Sequence, residues 1–402
     1  MTTELLAVIA APAFGGLLAI AFRRQPLVQV VSAAAALLLQ LILSALVTDG
    51  QYNLGSELIL RVGPIERFFI AAADIPIVAT LLYHARVADE GRKFVAVAMF
   101  SSAAVSAVAL VEDSFVAAFA LLIASVALAV GLVDEPLRVV ETPPGSAPLP
   151  PVRPFAAALR YLSLSVFAAI ALGFALILLA SYTISPDQPA LLKVTFAFLV
   201  VGLALRLGAA PFHLWLPSLL DPARGSGLIG LLSVGALSGG TVLFAAHILL
   251  DNPPLLLQDE FGRAVASAGA LGSAMLGGLL ALAQGERRRR CLAYLFISDA
   301  GLLLFGLVSG TAVGFSASLA TVLGYSLAAP LMLLSFNLLG DGNFVARAGL
   351  LIGGLSLVGL VPTYGFAARW LLYTAAAQLG PGWLLAALAA VLLMLAAAVR
   401  SF

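Results

Sequence analysis

The sequence predicts an all-α polytopic membrane protein, with about 13 transmembrane helices in a single membrane domain over residues 1–402. Three observations predict it. Of the 402 residues, 62% are hydrophobic and only 10% charged, and the mean hydropathy is +1.09, more apolar surface than one soluble core of this length could hide. Apolar runs of about 20 residues recur from end to end, each matching a hydrocarbon core of about 30 Å. Charge is confined almost wholly to the connections between those runs.

In order, the spans fall at 4–22, 27–48, 68–87, 92–111, 114–133, 155–181, 189–210, 225–250, 262–284, 290–309, 312–340, 346–379 and 381–400. The first has the length of a signal peptide. It lacks a basic start and ends at Arg23-Arg24 instead of a small-residue cleavage site, so it reads as a retained helix. The polar stretch 48–67 is a connection, and the proline-rich ETPPGSAPLPPVRP at 141–154 reads as a loop or short extended linker rather than a domain boundary. With the first helix starting outside, fourteen of the 21 Lys and Arg fall in connections on the inner side. Only Arg61, Arg67, Lys193 and Arg263 fall on the other. This bias predicts an outside N-terminus and a cytoplasmic C-terminus. The run ERRRR at 286–290 reads as a headgroup anchor beside a helix rather than a nucleic-acid site.

Composition also excludes chemistry. The single cysteine, Cys291, and the widely spaced His84, His213 and His247 form no metal-ligand pattern, and no phosphate-cradling glycine loop is present. No metal, haem or nucleotide cofactor is expected, and the driving energy must come from an ion gradient or from partners.

An ionisable group in hydrocarbon costs at least ~2.5 kcal/mol, so each one is a functional candidate. The set is Asp74, Arg160, Arg206, Asp299 and Arg369, with Lys193 and His247 nearer span ends. Arg160, Lys193 and His247 read equally well as side chains that snorkel to the interface. Arg206 precedes GAAP and Arg369 follows VPTYGFAA, so both stand beside a glycine and a proline that interrupt a helix. The break residues are Gly208 and Pro211 in the seventh span, Pro362 and Gly365 in the twelfth. Interrupted helices free carbonyls and amides that hold ions or charged side chains, and they are tolerated only where protein or water surrounds them. Two such breaks point to inverted repeats. The spacing fits two five-helix units, 92–250 and 262–400. Five spans per unit make the second enter from the opposite face.

At these residues the chain resembles the antiporter-like membrane subunits of respiratory complex I, of multisubunit sodium/proton antiporters and of membrane-bound hydrogenases, and most closely complex I subunit N. The family pattern is a lysine five residues before Pro-Phe-His-x-Trp-x-Pro; here it reads Arg206, then Pro211, Phe212, His213, Trp215 and Pro217. ALRY at 158–161, RRCLAYLFISDAGLLLFGL at 289–307 and LSLVGLVPTYGFAAR at 355–369 resemble three further family segments in the same order. The resemblance implies a multi-pass subunit of the bacterial cytoplasmic membrane, packed against sister antiporter-like subunits and lipid, without cofactor of its own and with quinone chemistry elsewhere. It also implies a fourteenth helix, one more than the spans counted here.

The resemblance further implies a midplane proton route: a glutamate on helix 5 paired with a lysine on helix 7, a lysine on helix 8, and a lysine or glutamate on helix 12. Here helix 5, SFVAAFALLIASVALAVGLV, has no acidic residue, its carboxylate position falling near Leu121 to Ile123, and the helix 8 lysine falls near Gly235. Arg160, Arg206 and Arg369 replace lysines, and Asp299 stands where the family often has histidine. A buried lysine can give up its proton, whereas a guanidinium keeps it. Asp299 and Asp74 are the deep groups left that could exchange one, with His213 and His247 as further coupling candidates. The expectation is a subunit linked to proton translocation whose own relay is degenerate. The alternatives are a subunit of a cation/proton antiporter or inorganic-carbon uptake complex, and a stand-alone secondary transporter, although no polar cluster marks a solute site.

Overall fold

The computed structural model describes residues 2–54, 58–87, 93–134, 154–185, 188–220, 227–257, 260–285, 287–338 and 344–401. Residues 141–153 of the proline-rich stretch lie outside these, as do Arg92, Arg138, Arg153 and Arg224 of the charge bias.

The chain opens with α1 (Thr2–Ala21) and α2 (Pro26–Leu46), then a hairpin of β1 (Gly50–Leu54) and β2 (Leu58–Val62). Next come α3 (Pro64–Val87), α4 (Phe94–Leu110), α5 (Ser114–Asp134), α6 (Pro154–Ile184), α7 (Pro189–Leu207) and the short α8 (Trp215–Leu219). α9 (Leu228–Leu231) runs through a π-helical stretch, Leu232–Leu237, into α10 (Ser238–Asp251). After the four-residue α11 (Pro254–Leu257) follow α12 (Glu260–Ala283), α13 (Arg288–Val308), α14 (Ala312–Leu338), α15 (Phe344–Val358), α16 (Tyr364–Leu379) and α17 (Pro381–Ser401). Among the described residues, 11 helices are long and apolar enough to cross a membrane, and α4 and α15 are shorter apolar helices.

Local chemistry sets several boundaries. Pro26 and Pro189 begin α2 and α7, where the missing N–H has no helical partner to lose. Pro12, Pro76 and Pro330 sit inside α1, α3 and α14, as membrane helices permit when neighbours surround the freed groups. The hairpin is antiparallel, Gly50 facing Val62, and Leu60 bridges to Val111 at the end of α4. The 48–67 stretch is therefore folded, with Arg67 donating to the Ser44 carbonyl at 2.8 Å and pairing with Asp49 at 2.7 Å.

Burial sorts the helices. The most apolar stretches of α9–α10 and of α13 are 94% buried, against 28–33% for α1, α2, α6 and α17, so the former are the axis and the latter the rim. Rim helices turn large apolar side chains outward, Phe14, Phe167 and Phe174 among them, as a lipid-facing surface requires. Arg23 and Lys93 line one groove and Arg288 and Arg347 another, while Arg400 donates to the Leu282 carbonyl. At the hairpin end, Arg61 lies 3.4 Å from Glu66 and 3.6 Å from Asp251, and His247 Nε2 lies 3.2 Å from Glu66.

Candidate functional site: two broken helices and their arginines

The two interruptions are built alike. α7 ends at Gly208, in the left-handed region at φ 75°, and α15 ends one residue before Gly359, at φ 86°. A proline follows three residues later in each, Pro211 and Pro362. In the first break the Ala209 amide reaches back to the Ala204 carbonyl and Phe212 to Ala209; in the second Leu360 reaches Leu355 and Thr363 reaches Leu360. The offsets are the same. Glycine is required at both places, since a side chain is strained at that φ and an added Cβ would meet the Trp215 ring at 3.0 Å at Gly208, or the Arg369 chain at Gly359. The glycine of the second break is thus Gly359, and Gly365 lies in the first turn of α16, tight against the Ser356 carbonyl. The Gly-x-x-Pro spacing shared by GAAP and GLVP was the signal for it.

Each break carries an arginine, on opposite sides of the interruption. Arg369 on α16 is 3% exposed and pairs with Asp299 of α13, 2% exposed; it also donates to the Leu357 carbonyl at 2.9 Å. That carbonyl belongs to the last turn of α15, which has no helical partner left. Around the pair, Thr321, Gly324, Ser356 and Gly365 leave a cavity of about 10 Å³, room for about one water and too little for a solute. Arg206, half-buried at the end of α7, donates to the Leu121 carbonyl at 2.6 Å and to the Ser125 hydroxyl. Among the described residues it has no carboxylate partner. Ser125 and Asp299 are each the twelfth residue of a 21-residue helix, α5 and α13. The arginines therefore meet equivalent points, one a hydroxyl and one an acid.

The other candidates scatter. His213 lies in the first break, ring to ring with Tyr294 of α13 at 6.3 Å. Beside it the Ala210 amide donates to Ser273 of α12 at 2.7 Å, and Trp215 packs on Tyr161 at 5.3 Å, which stitches the break to both halves of the chain. Arg160 and Lys193 are exposed on α6 and α7 and do not join either arginine. His247 sits with Glu66, which also pairs with Arg61 of the hairpin. Asp74, 2% exposed on α3, lies within hydrogen-bond distance of the Ser102 hydroxyl at 2.8 Å and meets no cation among the described residues. Sequence reasoning missed Ser125, Glu66 and the polar groups around Asp74, because a serine or glutamine in an apolar helix carries no mark of what packs against it.

Residues 152–394 match the model of the NADH:quinone oxidoreductase/Mrp antiporter transmembrane family. The chain belongs to this family. Among family relatives it is 33% identical over 208 residues to NAD(P)H-quinone oxidoreductase subunit 2 of Nostoc punctiforme, covering 48% of this chain and 38% of that protein. It is 32% identical over 230 residues to NADH-quinone oxidoreductase subunit N 2 of Acidobacterium capsulatum, covering 51% and 45%. The matches thus span less than half the length of these curated relatives. The fold is that of a chain in respiratory complex I from Thermus thermophilus with bound NADH, with a TM-score of 0.75 and 19% identity over 98% of this chain and 87% of that one. Gly235, near which the resemblance puts the helix 8 lysine, lies in the π-helical stretch. An added Cβ there would meet Pro76 Cβ at 2.8 Å, so a lysine side chain has no space to start.

Proposed function

We propose that this chain is an antiporter-like membrane-arm subunit of a complex I-like, redox-driven assembly, in which fixed arginine charges hold the coupling axis and the subunit's own lysine relay is lost. The observation that carries the reading is Arg206. Its guanidinium sits on the Leu121 carbonyl and Ser125 hydroxyl, where the family resemblance calls for a lysine facing a glutamate. A guanidinium holds its proton throughout the usable pH range, so the site supplies field and hydrogen bonds, not proton transfer. The Asp299–Arg369 pair is the second fixed element, its acid already neutralised by a partner that does not titrate.

The repeats belong to the same proposal. Units 92–250 and 262–400 each contain one Gly-x-x-Pro break and one arginine that reaches the twelfth residue of the unit's second helix, and with five spans apiece the second is inverted. The distribution of Lys and Arg among the connections along the sequence favours an N-terminus outside and a cytoplasmic C-terminus. The expected partners are sister membrane subunits and lipid. Purification in mild detergent from native membranes, with mass spectrometry of what travels along, tests the reading. Iron-sulfur, flavin or quinone-site subunits are expected; isolation alone, or with a single carbonic-anhydrase-like partner, would replace the respiratory reading with a transport one.

A further inference from the structure

Two carboxyls lie deep in the helices, and they are treated differently. Asp299 faces a guanidinium. Among the described residues Asp74 meets the Ser102 hydroxyl, which opens a polar chain: Ser102 Oγ lies 2.8 Å from its Oδ1 and 3.0 Å from Gln40 Oε1, Gln40 Nε2 donates to Ser106 Oγ at 2.7 Å, and Ser106 donates to the Ser102 carbonyl at 2.9 Å. Its other oxygen, Oδ2, is buried without a hydrogen-bond partner. The ionisable groups on elements packed against α3 are engaged elsewhere: Arg61 of β2 with Glu66 and Asp251, His247 of α10 with Glu66, and Tyr325 of α14 with the Phe296 carbonyl at 2.6 Å.

With the Gln40 amide oriented as it stands, counting hydrogens favours one state. The Ser102 hydroxyl has one hydrogen and two acceptors in reach. If Asp74 is ionised it takes that hydrogen, and Gln40 Oε1 is left against an oxygen lone pair. If the carboxyl carries a proton, every hydrogen runs one way, from Asp74 to Ser102 to Gln40, then from Gln40 to Ser106 to a backbone carbonyl. An orphaned Oδ2 is also far cheaper to bury on a neutral acid than on a charged one.

We infer that Asp74 is a proton-binding site, occupied in this arrangement, and that the Gln40 amide turns over when the proton leaves. With the amide reversed, Gln40 donates to Ser102, Ser102 donates to the carboxylate, and Ser106 turns to Gln40 Oε1. The chain of bonds ends on the Ser102 carbonyl, so it stores a proton instead of conducting one across. The oxygens touch through hydrogens at 2.7–3.0 Å, which leaves no gap for a metal ion among them. The site goes beyond the proposed subunit role and stands whether or not the parent assembly pumps.

The test is infrared difference spectroscopy on the full chain in its membrane assembly, wild type against Asp74→Asn at neutral pH. The expected result is a protonated-carboxyl C=O band in the wild type, shifted in D2O and the same in sodium or potassium. Ser102→Ala and Gln40→Leu, which keep the acid, are expected to move that band to higher frequency by weakening its hydrogen bond. No such band in the wild type, or a band unmoved by both of these variants, overturns the inference. Loss of the band on exchange of potassium for sodium would make Asp74 a sodium site and overturn it as well.

Discussion

Arginine and aspartate at the two breaks differ in what a substitution leaves behind. Arg369→Ala strands Asp299 at 2% exposure, and removing one partner of a buried pair costs about 3–5 kcal/mol. The expected outcome is a marked loss of thermal stability, largely recovered in the Arg369→Met, Asp299→Leu double variant; a double variant as unstable as the single one would deny the pair its structural role. Arg206 predicts the reverse exercise. Ser125→Asp places an acid at the point equivalent to Asp299, and it should pair with Arg206 and leave the fold intact, read by retained assembly and by loss of stability when Arg206→Ala is added. Of these residues the charged ones were legible in the sequence, because charge in an apolar run is conspicuous. Ser125, Gln40, Ser102 and Ser106 were not, since a hydroxyl or amide in a membrane helix is satisfied in many ways and its partner is set by segments up to 81 residues away.

At the scale of elements, the breaks were foreseeable and their details only partly so. Gly208, Pro211 and Pro362 mark them as the spacing predicted, but Gly359 and not Gly365 takes the left-handed turn. Sequence reasoning chose the glycine nearest the arginine, whereas backbone geometry selects the one three residues before the proline. Gly359→Ala is therefore expected to destabilise the chain more than an alanine elsewhere in α15, through both its positive φ and its contact with the Arg369 chain, as measured by melting temperature. The hairpin at 50–62 was missed because its strands are only five residues each and only the first, GQYNL, alternates polar with apolar residues, too short a pattern to separate from loop. The π-helical stretch has a similar lesson. Gly235→Ala drives a Cβ into Pro76, and overpacking of this kind costs about 1–3 kcal/mol; the same obstruction predicts that Gly235→Lys does not restore a relay but impairs folding, seen as reduced yield in the membrane.

Over the whole molecule, composition alone carried the membrane class, and the order of four motifs carried the family, while what the charges touch required three-dimensional packing. The most buried helices, α9–α10 and α13, lie behind rim helices that turn apolar side chains outward, and Arg206 and Arg369 are fixed in place at the two breaks. The account holds that these charges shape the field of the assembly and pass no proton themselves. The decisive measurement is the number of protons translocated per electron pair by the intact assembly carrying Arg206→Ala, with subunit content checked in the same preparation. The account predicts an unchanged ratio in a fully assembled, less stable complex. A ratio that falls while assembly is intact would contradict it and make Arg206 part of a working proton route.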